Sequence, residues 1–469
     1  MNNEALKDLF LKIEQGSILE RNEAFNRLEE YPLEQIKHFL FDGLRSNHHR
    51  VRSRCAKIIG DKGDETVLFP LLQALGDESW SVRSSANEAL SRLPENIVLP
   101  ALNAIMDSSQ TNPVLLKSVV SLLDKYQHPD STRILVNVLQ NSEDPELIEA
   151  AVSILGKKQD ALSIDSLFGL LTHELWIVRK AAVTAISNLP WPTIKPHLIQ
   201  AIGNPNRFMH LAGIEILTSI ASDDVLDMLA EILKSRNTTA KLNALNVLSG
   251  INTDESYSTM VAVLDDENIR VRDKAIYELS RSSLPSIFDL LNRCVNSTNK
   301  ILKLGAIQVF GEMGTEASVD ILQNLLEKES GNIKIRVMEA LARSGTRRSI
   351  KLLLQHIAMP DYTAEITTIL KSIDPDLAIQ QIVNLLDEPD FFPTAVRGLL
   401  DFDKSKVLRY LSSKLTSETG IQQERTVEAM GLLGSPEALV YLENILDGDF
   451  PDQIKKKAET SLRRIRRSM

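Results

Sequence analysis

Few residues of this chain stand in a pattern that does chemistry. Its eight histidines are scattered, apart from the neighbours His48 and His49 and a single His-Glu step, His173-Glu174. Imidazole and carboxylate together can ligate a metal, but a site needs about three or four such groups converging on one ion. One pair in a turn cannot build that, and the His48-His49 doublet reads as a solvated turn. No HExxH, GxSxG or GxxxxGK[ST] string is present, and no GxGxxG follows a strand pattern. The spacings that serve zinc hydrolysis, acyl transfer and phosphate cradling are therefore missing. Cys55 and Cys294 have no CxxC spacing. That argues against a disulfide framework or a zinc site and for a reducing, cytoplasmic setting. The 63 acidic residues are spread over the chain, and no catalytic pair stands out among them.

Composition bounds the rest. Apolar residues make up 43% of the 469 and charged residues 25%, as in a folded rather than a disordered chain. Aromatics are only 5%, so the interior must be built from Leu, Ile, Val and Ala, which suits closely packed helices. The net charge is −10. Between Lys455 and Met469 seven basic residues (Lys455, Lys456, Lys457, Arg463, Arg464, Arg466, Arg467) face one acid, Glu459, which is +6 and leaves −16 for residues 1–454. An acidic body of this kind disfavours nucleic acid as a partner. Residues 1–20 lack the basic and apolar segments of a secretory signal, and no apolar window is long enough to span a membrane.

The strongest signal is repetition. Val82-Arg83 with Ala86 and Leu90 recurs as Val51-Arg52 with Cys55 and Ile59, as Val178-Arg179 with Ala182 and Ile186, and as Val271-Arg272 with Ala275 and Leu279. Taking the Arg as anchor, successive positions fall at Arg21, Arg52, Arg83, Leu116, Ile148, Arg179, His210, Lys241, Arg272, Lys303, Lys334, Thr363, Pro393, Gln423 and Lys455. The steps run from 29 to 33 residues, mostly 31. Seven residues after each anchor the chain is always apolar, and three after it is mostly Ala. Those offsets share one helical face. A second apolar helix precedes each anchor, with Leu75, Leu171, Ile202, Leu233 and Leu264 eight residues before it. Polar turn strings such as Gly76-Asp77-Glu78-Ser79 and Asp265-Asp266-Glu267-Asn268 join the two.

One such helix pair cannot bury its own apolar face, so pairs must stack. The expected fold is all-α: a right-handed α-solenoid of about 15 helix pairs, on the order of 130–150 Å along its path at the usual helix spacing. Residues 1–469 read as one continuous array, with possible kinks near 107–116 and 358–395. Residues 1–30 read as an N-terminal cap and 447–469 as a basic C-terminal cap. Trp80 and Trp176 both stand three residues before their anchors, which points to packing at a repeat turn. His173 takes the turn slot that Asp77 and Asp266 hold elsewhere.

The string Val82-Arg83-Ser84-Ser85-Ala86-Asn87-Glu88-Ala89-Leu90 resembles the HEAT-repeat superfamily, and the short period looks like its phycobilisome-lyase HEAT-like subgroup. The resemblance covers nearly the whole chain and is specific for fold rather than task. In that family an Asp six residues before the Arg often joins a polar ladder between repeats. Here it is Asp77 and Asp266, but His173, Asn204 and Ser235 elsewhere, so a partial ladder is implied. Deoxyhypusine hydroxylase has a similar fold and holds two irons with several His-Glu pairs; one pair does not suffice. HEAT-like alkylpurine DNA glycosylases need a basic groove, which the charge opposes. Phycobilin lyases share the short repeat, but no local bilin site is visible.

The function expected is a non-catalytic scaffold or adaptor that binds a partner protein or peptide, with no cofactor. The lyase-like or chromophore-chaperone subunit stays open as an alternative, and DNA binding as a remoter one. In this fold the second helices usually line the concave face. One residue after the anchor, repeats 7 to 11 read Leu211, Leu242, Asp273, Leu304 and Ile335; five after it they read Glu215, Asn246, Tyr277, Gln308 and Glu339. In repeats 2 to 6 the first of these columns is polar: Ser53, Ser84, Lys117, Glu149 and Lys180. The contrast marks Leu211, Leu242, Asn246, Tyr277, Leu304, Gln308, Ile335 and Glu339 as candidate partner contacts. Packing between repeats is the alternative role for these side chains. The basic residues from Lys455 to Arg467 are a second candidate surface, for an acidic partner or anionic lipid.

Overall fold

The computed structural model describes residues 2–108, 112–356 and 363–468, in which thirty α-helices and no strand occur. Close contacts divide the chain into two compact units, Met1–Val225 and Leu226–Met469. The first holds α1 (Asn2–Gln15), α2 (Ile18–Leu28), α3 (Leu33–Gly43), α4 (His49–Lys62), α5 (Leu68–Ala74), α6 (Trp80–Leu90), α7 (Glu95–Met106), α8 (Pro113–Leu123), α9 (Pro129–Asn141), α10 (Pro145–Lys158), α11 (Ile164–Gly169), α12 (Trp176–Ser187), α13 (Trp191–Ile202) and α14 (Arg207–Ile220). The division falls within α15 (Asp223–Leu233). The second continues with α16 (Thr238–Ile251), α17 (Asp254–Val261), α18 (Ile269–Ser280), α19 (Ser286–Val295), α20 (Lys300–Met313), α21 (Glu316–Lys328), α22 (Gly331–Ser344), α23 (Arg347–His356), α24 (Thr363–Ile373), α25 (Pro375–Leu385), α26 (Phe392–Leu399), α27 (Lys404–Ser417), α28 (Ile421–Leu432), α29 (Ala438–Asp447) and α30 (Asp452–Ser468). Odd-numbered helices are the A helices and even-numbered ones the B helices. Every anchor residue falls in an even helix, so the fifteen spacings correspond to fifteen helix pairs of an all-α solenoid.

The turn between A and B explains the anchor. Arg83 donates through Nη1 to the carbonyls of Asp77 and Glu78, both at 2.9 Å. Arg179 does the same to His173 and Glu174 at 2.6 and 2.8 Å, and Arg272 to Asp266 and Glu267 at 2.5 and 3.2 Å. The cation thus returns to the carbonyls left over in the turn. Six residues before the anchor, a side chain accepts the N–H two residues on. Ser46, Asp77, Ser142, His173, Asn204, Ser235, Asp266 and Ser297 all do so, at 2.8–3.3 Å. His173 is therefore a turn residue, as its slot implied. Four residues before the anchor stands the N-cap of helix B, with Asn112, Asp144, Asn206, Asn237, Asn268 and Asn299 accepting N–H groups of the first turn.

The ladder between repeats is partial, as expected. Arg52 grips Asp77 of the next turn with two bonds of 2.7 and 2.9 Å, Lys241 reaches Asp266 at 2.5 Å, and Lys303 reaches Glu329 at 2.9 Å. The column seven after the anchor is buried throughout with one exception, Leu400, which is 44% exposed. There the register inferred from spacing is one residue late. Ala395 and Leu399, both fully buried, occupy the small and large core positions, so the anchor place in α26 belongs to Phe392 rather than Pro393. Pro393 sits in the first turn of α26, where its missing N–H costs nothing. The kinks expected near 107–116 and 358–395 fall partly on 109–111 and 357–362, which lie outside the described residues.

Successive B helices meet through small residues. A Cβ on Gly60 would overlap Ala89; one on Gly156 would lie 2.8 Å from Ala185 Cα, and one on Gly311 2.8 Å from Ala340 Cα. Each glycine stands eight residues after its anchor, and each alanine six after the next. Eleven residues after the anchor several B helices end in a left-handed residue: Gly314 (φ 58°) and Gly345 (φ 61°), but also Ala221 (φ 43°).

Two substitutions test this packing. Gly60→Ala is expected to lower unfolding stability by about 1–3 kcal/mol through overpacking. Gly169→Ala, where a Cβ meets nothing within 4 Å, should be neutral or slightly stabilising. At the left-handed position Ala221→Gly is expected to raise stability by up to about 1 kcal/mol, the relief of strain exceeding the added chain entropy. Thermal and urea unfolding of the three variants read all of these effects.

Candidate functional site

The anchor, which faces the turn, sets the orientation of everything else on a B helix. Positions three and seven after it point into the core, so one and five after it point outward, on the stripe that begins three residues before it. The structure places the candidate contacts accordingly. Leu211 on α14 is 46% exposed and Tyr277 on α18 is 52% exposed, while Leu242 and Asn246 on α16, Leu304 and Gln308 on α20, and Ile335 and Glu339 on α22 are half-buried. Leu211 belongs to the first compact unit and the others to the second.

Within the second unit, four of these residues come together. A cleft of about 430 Å³ runs between α18, α20 and α22. Its floor and walls include Ile269, Asp273 and Ile276, then Ile301, Leu304 and Gln308, then Arg336, Glu339 and Arg343. A second cleft of about 610 Å³ opens between α20 and α22, where Lys300, Leu304, Ile333, Ile335, Arg336 and Glu339 line it. Leu304, Arg336 and Glu339 line both. Arg336 and Glu339 form an ion pair of 2.6 Å across one turn, and Arg343 pairs with Glu312 at 2.8 Å. Tyr277 lines neither cleft; its ring lies 5.4 Å from Lys274 Nζ and 5.3 Å from the Arg281 guanidinium. Leu242 and Asn246 line neither cleft as well.

The reading from sequence missed Ile269, Ile301 and the arginines of α22. The signal was present two and three residues before the anchor. Ile18, Leu19, Trp80, Val114, Trp176, Ile177, Phe208, Ile269, Ile301 and Ile421 all occupy the first two residues of a B helix, and all are exposed. This corrects the expectation for the tryptophans. Trp80 is 73% and Trp176 68% exposed, so neither packs at the turn. Three residues before the anchor is one helical turn from the outward position one after it, not from the core column. Arg179 stacks 4.4 Å over the Phe208 ring on the same outward side.

Chemically the clefts offer apolar surface edged by carboxylate, guanidinium and side-chain amide. Among the described residues no group of three His, Cys, Asp or Glu is placed to hold a metal ion. His48 and His49 are both exposed at the start of α4. Cys55 and Cys294 are free and buried, and burial pushes both thiols above the usual range. On α30, Ile454, Ala458, Leu462 and Ile465 face the core. Lys457 pairs with Glu428 at 2.7 Å, Arg466 with Glu443 at 2.8 Å and Arg463 with Glu459 at 3.7 Å. Lys455, Lys456, Arg464 and Arg467 of α30 carry no ion pair.

The family model for HEAT repeats matches residues 38–123, 108–187, 132–215 and 287–370, together more than half of the chain. The chain belongs to the HEAT-repeat family. No curated protein matches the sequence. Solved structures similar to this HEAT array include Kap121p, with 15% identity and a TM-score of 0.38, covering 99% of this chain and 61% of that one. They also include the karyopherin Kap121p bound to the extreme C-terminus of the protein phosphatase Cdc14p, at 14% identity, a TM-score of 0.39 and coverages of 99% and 62%. A third is the Kap95:Nup1 complex, at 13% identity, a TM-score of 0.37 and coverages of 99% and 68%. The chain thus spans about 61% of the length of the first of these. Likeness at this level carries nothing about partners. No described helix of the HEAT array is long and apolar enough to cross a membrane.

The placement of the tryptophans has a direct optical test. Trp80 and Trp176 are exposed and Trp191 is half-buried. Emission of the folded chain should be red-shifted and mostly open to acrylamide quenching, and Trp80→Phe and Trp176→Phe should each remove quenchable emission while leaving the melting temperature nearly unchanged. A blue-shifted, protected spectrum would put these side chains in a packed interior.

Proposed function

We propose that this HEAT-repeat chain is a non-catalytic scaffold that receives a helix or extended segment of a partner protein across α18, α20 and α22. The observation that carries the reading is the pair of clefts on either side of Leu304, sharing Leu304, Arg336 and Glu339. Apolar side chains at the centre would supply contact area, and the flanking charges would set register. The mechanism is additive. Each repeat offers a small contact, and several in series give avidity without any single deep pocket. Leu211, Leu242, Asn246 and Tyr277 extend the candidate surface on neighbouring B helices, and the unpaired cations of α30 offer an acidic partner or anionic lipid a further contact.

The period of about 31 residues supports the short, phycobilisome-lyase type of HEAT repeat. It also keeps a chromophore-handling subunit as the alternative function. The two buried free thiols suit a reducing, cytoplasmic setting.

Affinity capture of the full chain from its native lysate, with mass spectrometry and an absorbance scan, tests the scaffold reading. One stoichiometric protein partner is expected, and Leu304→Asp should abolish its capture while changing stability by less than about 1 kcal/mol. Capture that survives Leu304→Asp removes these clefts from the mechanism. A co-purifying pigment in place of a protein partner favours the lyase-like alternative.

A further inference from the structure

A second cleft of a different character opens in the first unit. B helices α4 and α6 pack closely through Gly60 and Ala89, whereas α6 and α8 approach each other at few points. The step between their anchors, from Arg83 to Leu116, is 33 residues, two more than the usual 31. Between them lies a cleft of about 730 Å³. Trp80 and Val114 stand at one end and Lys125 at the other, with Arg83, Asn87 and Lys117 along the walls.

We propose that this cleft binds an acidic segment of a partner polypeptide that carries a large apolar side chain at one end. Charge complementarity is the first argument. The chain is acidic overall, yet this cleft is lined by three cations, Arg83, Lys117 and Lys125, against one carboxylate, Glu88. Glu88 is already bound by Arg92 at 2.7 Å. Lys117 reaches Glu146 of α10, but Lys125 is exposed and forms no ion pair. The Asn87 amide is half-buried at the cleft wall without a side-chain partner, which leaves a donor for a carboxylate or a peptide carbonyl.

Dimensions supply the second argument. The lining runs from Trp80 to Ser91 on α6 and from Val114 to Lys125 on α8, eleven residues on each. At about 1.5 Å per residue that is roughly 16 Å, enough for about five residues of extended chain. The 73% exposed indole of Trp80 would then take an aromatic or large aliphatic residue. Lys117 and Lys125 would take the acidic residues next to it. A nucleic acid fits less well, because the next B helix presents exposed Glu146 and Glu149 in the positions that Val114 and Lys117 hold on α8.

The test uses the full chain and labelled synthetic peptides made of glutamates with one terminal phenylalanine, in both orders, read by fluorescence polarisation and by Trp80 emission. One order is expected to bind, to change Trp80 emission and to weaken steeply with salt. Trp80→Ala and Lys125→Glu should each weaken binding about tenfold or more, with unchanged circular dichroism and melting temperature. Leu304→Asp should bind the peptide normally, which separates this site from the clefts of the second unit. The proposal is overturned if neither peptide binds, if binding ignores both cleft substitutions, or if a lysine-for-glutamate peptide, a single-stranded oligonucleotide or inorganic phosphate occupies the cleft equally well.

Discussion

The structure depends on how the turn between each A and B helix is closed. A cation in the first turn of helix B reaches back to carbonyls five and six residues earlier, and a side chain six residues earlier accepts the next available N–H. Bonds of this charge-assisted kind are worth about 1.5–3 kcal/mol each. Their larger effect is geometric. They tie the anchor, the N-cap and the turn residue into one unit of fixed length, so the core positions that follow cannot slip. Where the anchor is apolar, as at Ile148, the turn still closes through Ser142 and the N-cap Asp144.

With the turns held alike, variation passes to the spacing between neighbouring B helices. Where glycine meets alanine, as at Gly60 and Ala89 or Gly156 and Ala185, backbones come together and the outward face is closed. Where that pairing is missing, as between α6 and α8, a cleft opens along the same outward stripe. At α20 and α22 the backbones still meet through Gly311 and Ala340, and the clefts arise from the side chains of the stripe itself. The same repeat thus yields closed and open stretches with no change in its fold.

Charge is allotted in the same way. Many of the basic residues that could mark a binding surface are used inside the array. Arg52 is 7% exposed and holds Asp77, and Arg83, Arg179 and Arg272 cap carbonyls. A tally of Lys and Arg therefore overstates what is free for a partner. Lys125 and the four unpaired cations of α30 are the kind that remain.

The sequence by itself determined the helix pairs, their number, the anchor column and the core columns, because each rests on contacts within one repeat at fixed offsets. It also showed which positions face outward from one to five residues after the anchor. It misplaced α26 by one residue, where a proline in the first turn imitates an anchor in spacing but not in burial. It misjudged Trp80 and Trp176, since equivalent positions in a repeat can be equally exposed as well as equally packed. Only the tertiary structure decided which outward residues share a cleft. That depends on the distance between neighbouring B helices, which is set by pairs such as Gly311 and Ala340 lying about 29 residues apart in sequence, each unremarkable until the other is brought against it.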